Sequence, residues 1–188
     1  MMTETIRAFL CVELSTEAKQ ALYQSTAPLR TSFPSLKWVK PECLHITLKY
    51  LGELKKTRID SIAESMEQSL TPNPPASFDL RCGSLGAFPG FKRVRTLYAK
   101  VLGELESLSH LAAISEKAAV ANGLPREKRP FMPHITLARS RNPEPMPPDD
   151  SFPGRPIEWN VSSVALMKSD LRPTGSVYTR IRIWRLGE

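Results

Sequence analysis

Cysteine is scarce in this sequence. The three present, Cys11, Cys43 and Cys82, lie far apart with no Cys-x-x-Cys pair. An odd number at such spacing suggests neither a disulfide framework nor a thiolate zinc site. Long apolar runs are missing too. No stretch approaches the ~20 consecutive apolar residues that span a bilayer, and Met1–Leu10 has no extended apolar core before a small-residue cleavage site. This reads as a cytoplasmic protein with no membrane partner. Nor is there the bias of a disordered chain, because 41% hydrophobic and 24% charged residues is ordinary globular composition. A length of 188 residues suits one domain, residues 1–188, built as two small lobes sharing a core. Lys and Arg together number 26 against 19 Asp and Glu, a net +7. Such a surface attracts polyanions, either nucleic acid or phosphate ligands, although a merely soluble basic protein has the same balance.

The pattern along the chain alternates strands and helices. Ile6–Leu14 is β-branched and aromatic and runs to Ser15, a favourable N-cap for a helix over Thr16–Arg30 that stops near Pro34. Lys37–Val39 is a short strand before a turn at Pro41. His45–Leu51 is a strand closed by Gly52, and Ile59, Ile62, Met66 and Leu70 give Thr57–Leu70 helical spacing. Phe78–Phe88 and Val94–Val101 are strands joined by a basic loop, and Gly103–Asn122 is a second long helix with Gly123 as its C-cap. A proline-rich loop over Asn142–Pro156 precedes two closing strands, Ile157–Lys168 and Val177–Leu186.

The tetrapeptide His-Ile-Thr-Leu occurs twice, at His45–Leu48 and His134–Leu137, each with a proline four residues upstream, Pro41 and Pro130. Strand, helix and motif recur nearly in register, since Phe9 and Leu97 are 88 residues apart and the two histidines 89. An internal duplication follows, and with it an α+β fold. Two similar lobes of mainly antiparallel sheet, with outer helices, face each other across a central cleft.

Strand alternation puts His45 and Thr47 on one face about 7 Å apart, with Ile46 and Leu48 on the other; His134 and Thr136 are disposed in the same way. Each motif therefore offers an imidazole and a hydroxyl on its polar face and buries its apolar face. Two imidazoles titrating near 6.5 can divide labour at neutral pH, one accepting a proton while the other donates one. Phosphodiester cleavage requires that division: one ring deprotonates the attacking water, the other protonates the departing ribose oxygen, and the hydroxyls hold the phosphoryl oxygens as charge builds. A bell-shaped pH profile with limbs near ~6.5 is the expectation. No carboxylate adjoins either histidine, and two histidines are too few for a three-ligand catalytic zinc, so no metal and no cofactor is expected. His110, alone in a helix, reads as a surface residue.

Paired His-x-Thr motifs about ninety residues apart resemble the two-histidine phosphoesterase superfamily. Within it the chain is similar to the RNA 2′,3′-cyclic phosphodiesterases once named 2′-5′ RNA ligases. The likeness rests on Arg7-x-Phe9, Trp38-Val39 with Pro41, Leu44–Leu48 with Leu51-Gly52, Phe131-x-Pro133-His134 through Arg139, and Ser169-x-Leu171 with Gly175 and Tyr178. Tyr50 stands where such proteins often have phenylalanine. The resemblance implies opening of the cyclic phosphate at an RNA end to a 2′-phosphate without a cofactor, and a monomer is expected. His45 would be the donor and His134 the acceptor, with Thr47, Thr136 and Arg139 on the phosphate.

Arg139 lies five residues after His134 and faces away from it unless a bulge turns the strand. Lys49 shares the parity of His45 and reads as a rim lysine or a backbone contact, and Cys43 as small apolar filler. Phe91, Lys92, Arg93, Arg95, Arg126, Lys128 and Arg129 form a basic, partly aromatic set suited to RNA, or to plain surface charge. The same motifs also fit joining of RNA ends through a 2′,5′ linkage, cleavage of 2′,5′-oligonucleotides, or a non-catalytic RNA-binding module. Two matched acid–base pairs are more than a pure binder needs.

Overall fold

The structure, a computed structural model, describes residues 4–173 and 175–187; Met1–Thr3, part of the N-terminal stretch considered above, lie outside the described residues. The elements run β1 (Thr5–Glu13), α1 (Thr16–Ser25), α2 (Ala27–Ser32), β2 (Lys37–Trp38), a 3₁₀ turn (Pro41–Cys43), β3 (His45–Lys55), α3 (Lys56–Leu70), β4 (Phe78–Phe88), β5 (Val94–Gly103), α4 (Leu105–Ala121), β6 (His134–Glu144), β7 (Glu158–Val161), β8 (Ser163–Arg172) and β9 (Gly175–Arg185).

The Ser15 side chain accepts from the Ala18 amide at 3.1 Å, so the N-cap expected of α1 is in place. The single helix expected over Thr16–Arg30 is instead broken at Thr26. Pro28 has no amide to give Gln24, and the Thr26 hydroxyl and the Arg30 guanidinium both donate to the Tyr23 carbonyl instead. The motif strand β3 runs past Gly52, whose φ of +76° lets the chain pass a residue that was expected to end it. β6 likewise continues to Glu144, which shortens the proline-rich loop.

Eight strands follow one another in the order β7-β4-β5-β6-β3-β1-β8-β9, mainly antiparallel, with β2 pairing beside β6. The order is symmetric about the junction of β6 and β3, and each half consists of a motif strand, its partner β5 or β1, and two outer strands. Ile157–Lys168, read as one strand, is two: β7 pairs with β4 and β8 with β1, and only Ser162 separates them. One residue spans at most ~7 Å between its neighbours, so strands far apart in the sheet order must come close in space. The sheet is therefore curled. Helices α3 and α4 cover one face of it with Ile59, Ile62, Met66 and Leu70 and with Leu108, Leu111, Ala112 and Ala119, all buried. The opposite face of the first half carries a separate small cluster of Phe9, Cys11, Ala165 and Met167, with Tyr178 against it.

β3 and β6 pair only through Ile46 and Ile135, both fully buried. Beyond that pair the strands part, and β2 takes the free edge of β6 at Ala138 and Arg139. Antiparallel pairing through these isoleucines brings Thr47 beside His134 and His45 beside Thr136. The cleft opens where the two strands diverge.

Candidate active site

One cleft of about 470 Å³ is lined by His45, Thr47, His134, Thr136 and Arg139, so all five residues singled out from the sequence meet there. The two imidazoles are held alike. Nδ1 of His45 lies 2.7 Å from the Cys43 carbonyl and Nδ1 of His134 2.9 Å from that of Met132, in each case two residues upstream. A carbonyl can only accept, so Nδ1 carries the proton in both rings and Nε2 of the neutral form offers a lone pair. Nε2 of His45 is 3.0 Å from Oγ1 of Thr47, whose hydroxyl donates to it in the free protein.

Each ring also stands in an aromatic enclosure that sequence reasoning missed. His45 stacks on Phe9 at 4.7 Å and meets the edge of Tyr178 at 5.3 Å. His134 meets Phe88 and Tyr98 edge-on, each at 5.4 Å, and those two rings stack on one another at 4.4 Å. Tyr98 reaches this position because Gly86 lies across from it; a Cβ there would sit 2.3 Å from the Tyr98 ring. Phe9 and Tyr98 are 89 residues apart, the spacing of the histidines, so the repeat unit matches Phe9 with Tyr98 rather than with Leu97. Phe9 and Tyr178 stand in the family pattern noted from the sequence, but no ring lies near its histidine in the chain, and only the recurring offset leads from Phe9 to Tyr98.

Burial pushes the His45 imidazole down to about 4, reinforced by the nearby charge of Lys19 and opposed by the bond to the Cys43 carbonyl. The free protein thus holds His45 neutral at pH 7, which displaces the limb expected near 6.5. Behind the ring, Glu13 bonds Lys19 at 2.9 Å and Arg180 at 2.8 Å. Burial alone would raise that carboxyl, but these two hydrogen bonds outweigh it and keep Glu13 ionised.

Arg139 reaches the cleft through a bulge. The register of β6 against β5 shifts between Thr136 and Ala138, so Leu137 and Ala138 are both buried and Arg139 turns to the face of His134 and Thr136. Its Nη1 donates to Thr96 Oγ1 at 3.2 Å. Lys49, by contrast, is bound to Glu116 of α4 at 2.6 Å. Burial raises the Cys43 thiol, in keeping with a filler role, and His110 is exposed on α4.

The basic set divides. Arg95 and Arg129 line a recess of about 900 Å³ that adjoins His134, together with Tyr50, Phe131 and Met132. Arg126 lines a smaller recess beside Arg58, and Lys92, Arg93 and Lys128 are exposed, lining none of these hollows. Phe91 packs against the core and is not offered to a base. The exposed apolar side chains at this rim are Tyr50 and Met132, 51% and 49% accessible. Among the described residues no group of three or more His, Cys, Asp or Glu is placed to hold a metal ion, and no helix is long and apolar enough to cross a membrane.

The chain is similar to known proteins in sequence and in fold. A family model described as the 2′-5′ RNA ligase superfamily matches residues 17–173. An RNA 2′,3′-cyclic phosphodiesterase of Thermus thermophilus is 35% identical over 93% of this chain and 87% of its own length. One from Methanothermobacter thermautotrophicus is 28% identical over 96% of this chain and 99% of its own. The chain spans about half (53%) of a Geobacillus stearothermophilus relative of the same name, at 30% identity over 88% of this chain. Among solved structures, TT0787 of Thermus thermophilus superposes with a TM-score of 0.76 at 32% identity, covering 97% of this chain and all of that one. Escherichia coli LigT complexed with 3′-AMP superposes at 0.80 with 23% identity, over 98% of this chain and all of its own.

Proposed function

The chain belongs to the 2′-5′ RNA ligase superfamily, and from that premise we propose that it hydrolyses 2′,3′-cyclic phosphate ends of RNA to 2′-phosphomonoesters. The observation that carries this reading is the convergence of two identical His-x-Thr faces, each imidazole held through Nδ1 by a backbone carbonyl so that Nε2 is left to the substrate, on one cleft. Water attacks phosphorus and loses its proton to Nε2 of His134, the bond from phosphorus to the 3′-oxygen breaks, and that oxygen takes a proton from His45. Thr47, Thr136 and Arg139 hold the non-bridging oxygens as negative charge grows on them. In this scheme the terminal base lies against Tyr50 and Met132, which line the recess beside His134. Hydrolysis requires no metal in this scheme and proceeds in a chelator. The enzyme acts as a monomer in the cytoplasm.

The donor role of His45 has a consequence for pH. Its ring is neutral in the free protein, so the substrate must help charge it: a bound phosphate anion offsets the burial and the Lys19 charge that hold its pKa near 4. The limb due to His45 is therefore expected near 4 in kcat/KM, which reports the free enzyme, and at a higher pH in kcat, which reports the complex. Profiles of both parameters with a cyclic mononucleotide check this. Coincident limbs would show that the phosphate does not act on His45.

Incubation with an oligonucleotide ending in a 2′,3′-cyclic phosphate tests the function itself. Release of a terminal phosphomonoester is expected, and binding without turnover would leave an RNA-binding module.

A further inference from the structure

Arg7 lines the same cleft and has no part in the scheme above. It lies two positions before Phe9, whose ring stacks on His45, so alternation places it on the cleft face about 7 Å further from the reacting centre. Its guanidinium carbon is 5.3 Å from the centre of the Tyr50 ring. Among the described residues no carboxylate pairs with it, in contrast to Lys49 and Arg180.

The internal repeat gives this position meaning. The 89-residue offset that relates His45 to His134 also relates Arg7 to Thr96 and Tyr50 to Arg139. In the second half those two positions hold the contact between Arg139 and Thr96; in the first they hold Arg7 over Tyr50. Each half thus sends one arginine into the cleft from the equivalent pair of sites, on β6 in one half and on β1 in the other. A cyclic phosphate diester carries a single charge, which Arg139 already meets. A second cation, one strand period out, calls for a second phosphate.

We propose that Arg7 is a substrate-binding residue that takes the internucleotide phosphate preceding the cyclic end, with its guanidinium braced on Tyr50. This rests on the cyclic phosphodiesterase reading and makes the preferred substrate an oligonucleotide rather than a cyclic mononucleotide. The plane of the guanidinium can stack on the ring and still present N–H groups to a phosphate, which a lysine in its place could not do equally well.

Wild type, Arg7→Ala and Arg7→Lys are compared with a cyclic mononucleotide and a cyclic-ended trinucleotide over a salt series, by kcat/KM and by fluorescence anisotropy. Arg7→Ala is expected to narrow the trinucleotide's advantage about tenfold, chiefly through KM. The salt slope of trinucleotide binding should fall by ~0.7, the value for one phosphate contact on a single strand. Arg7→Lys should restore the slope but not the full affinity. An unchanged advantage and slope in Arg7→Ala would overturn the proposal, as would an equal loss on both substrates, which would assign Arg7 to the terminal phosphate. If the alanine variant does not fold, Arg7→Gln, which keeps the stem against Tyr50, decides the same question. Wild-type inactivity on both substrates would count against the hydrolase reading alone, since the anisotropy arm still reads the phosphate contact.

Discussion

His45→Ala and His134→Ala are each expected to lower turnover by roughly 10²–10⁴-fold while the protein stays folded, because each removes one partner in proton transfer. The fold should tolerate both changes. Neither ring belongs to the main core, which is built from the alternate positions Ile46, Leu48, Ile135 and Leu137. His45→Ala is the more costly of the two for stability, because its ring stacks on Phe9 as well as meeting the edge of Tyr178, whereas His134 is only edge-on to its neighbours and is more open. Single-turnover rates beside thermal unfolding of each variant separate these effects. A folded variant of either kind with wild-type turnover would dismiss the acid–base scheme.

Thr47→Ala and Thr136→Ala should each cost on the order of 10²-fold in kcat, the magnitude associated with loss of one donor to a developing oxyanion. The two are not equivalent. The Thr47 hydroxyl also donates to Nε2 of His45 in the free protein, so its removal both weakens the hold on the phosphoryl oxygens and frees that ring, and the His45 limb of the pH profile should move in Thr47→Ala. Thr136 is not bonded to a histidine and should lower the rate without moving the limb. Serine at either position keeps the hydroxyl and should recover most of the activity. Normal rates in both alanine variants would reduce these threonines to β-formers on a half-buried face.

The central pair was legible because strand alternation is a local rule: once His-Ile-Thr-Leu forms a strand, His45 and Thr47 must share a face, and the repeat implies that a second such face exists. Arg139 was not settled in that way. Its orientation depends on a register shift between β6 and β5 at Tyr98, a property of two strands together that neither shows alone. The same holds for Ser162, where the chain leaves one half of the sheet for the other in a run whose pattern reads as continuous. Local chemistry did foretell the cap at Ser15, but the break at Thr26 needed the missing amide of Pro28 to be weighed against an otherwise helical pattern. The depressed pKa of His45 lay beyond any sequence argument, since it arises from rings and charges contributed by β1, α1 and β9, distant in the chain. Lys49 shows the limit of parity: it follows His45 and Thr47 in alternation, yet a shift of β3 against β1 next to it and the carboxylate of Glu116 direct it to α4.

The most direct test of the account is to open a cyclic-ended oligonucleotide in ¹⁸O-labelled water and to determine both where the phosphate remains and where the label enters. The expected product is a 2′-phosphomonoester carrying one labelled non-bridging oxygen, because water attacks phosphorus and the 3′-oxygen departs. A 3′-phosphomonoester, or recovery of the bound substrate unopened, would contradict it.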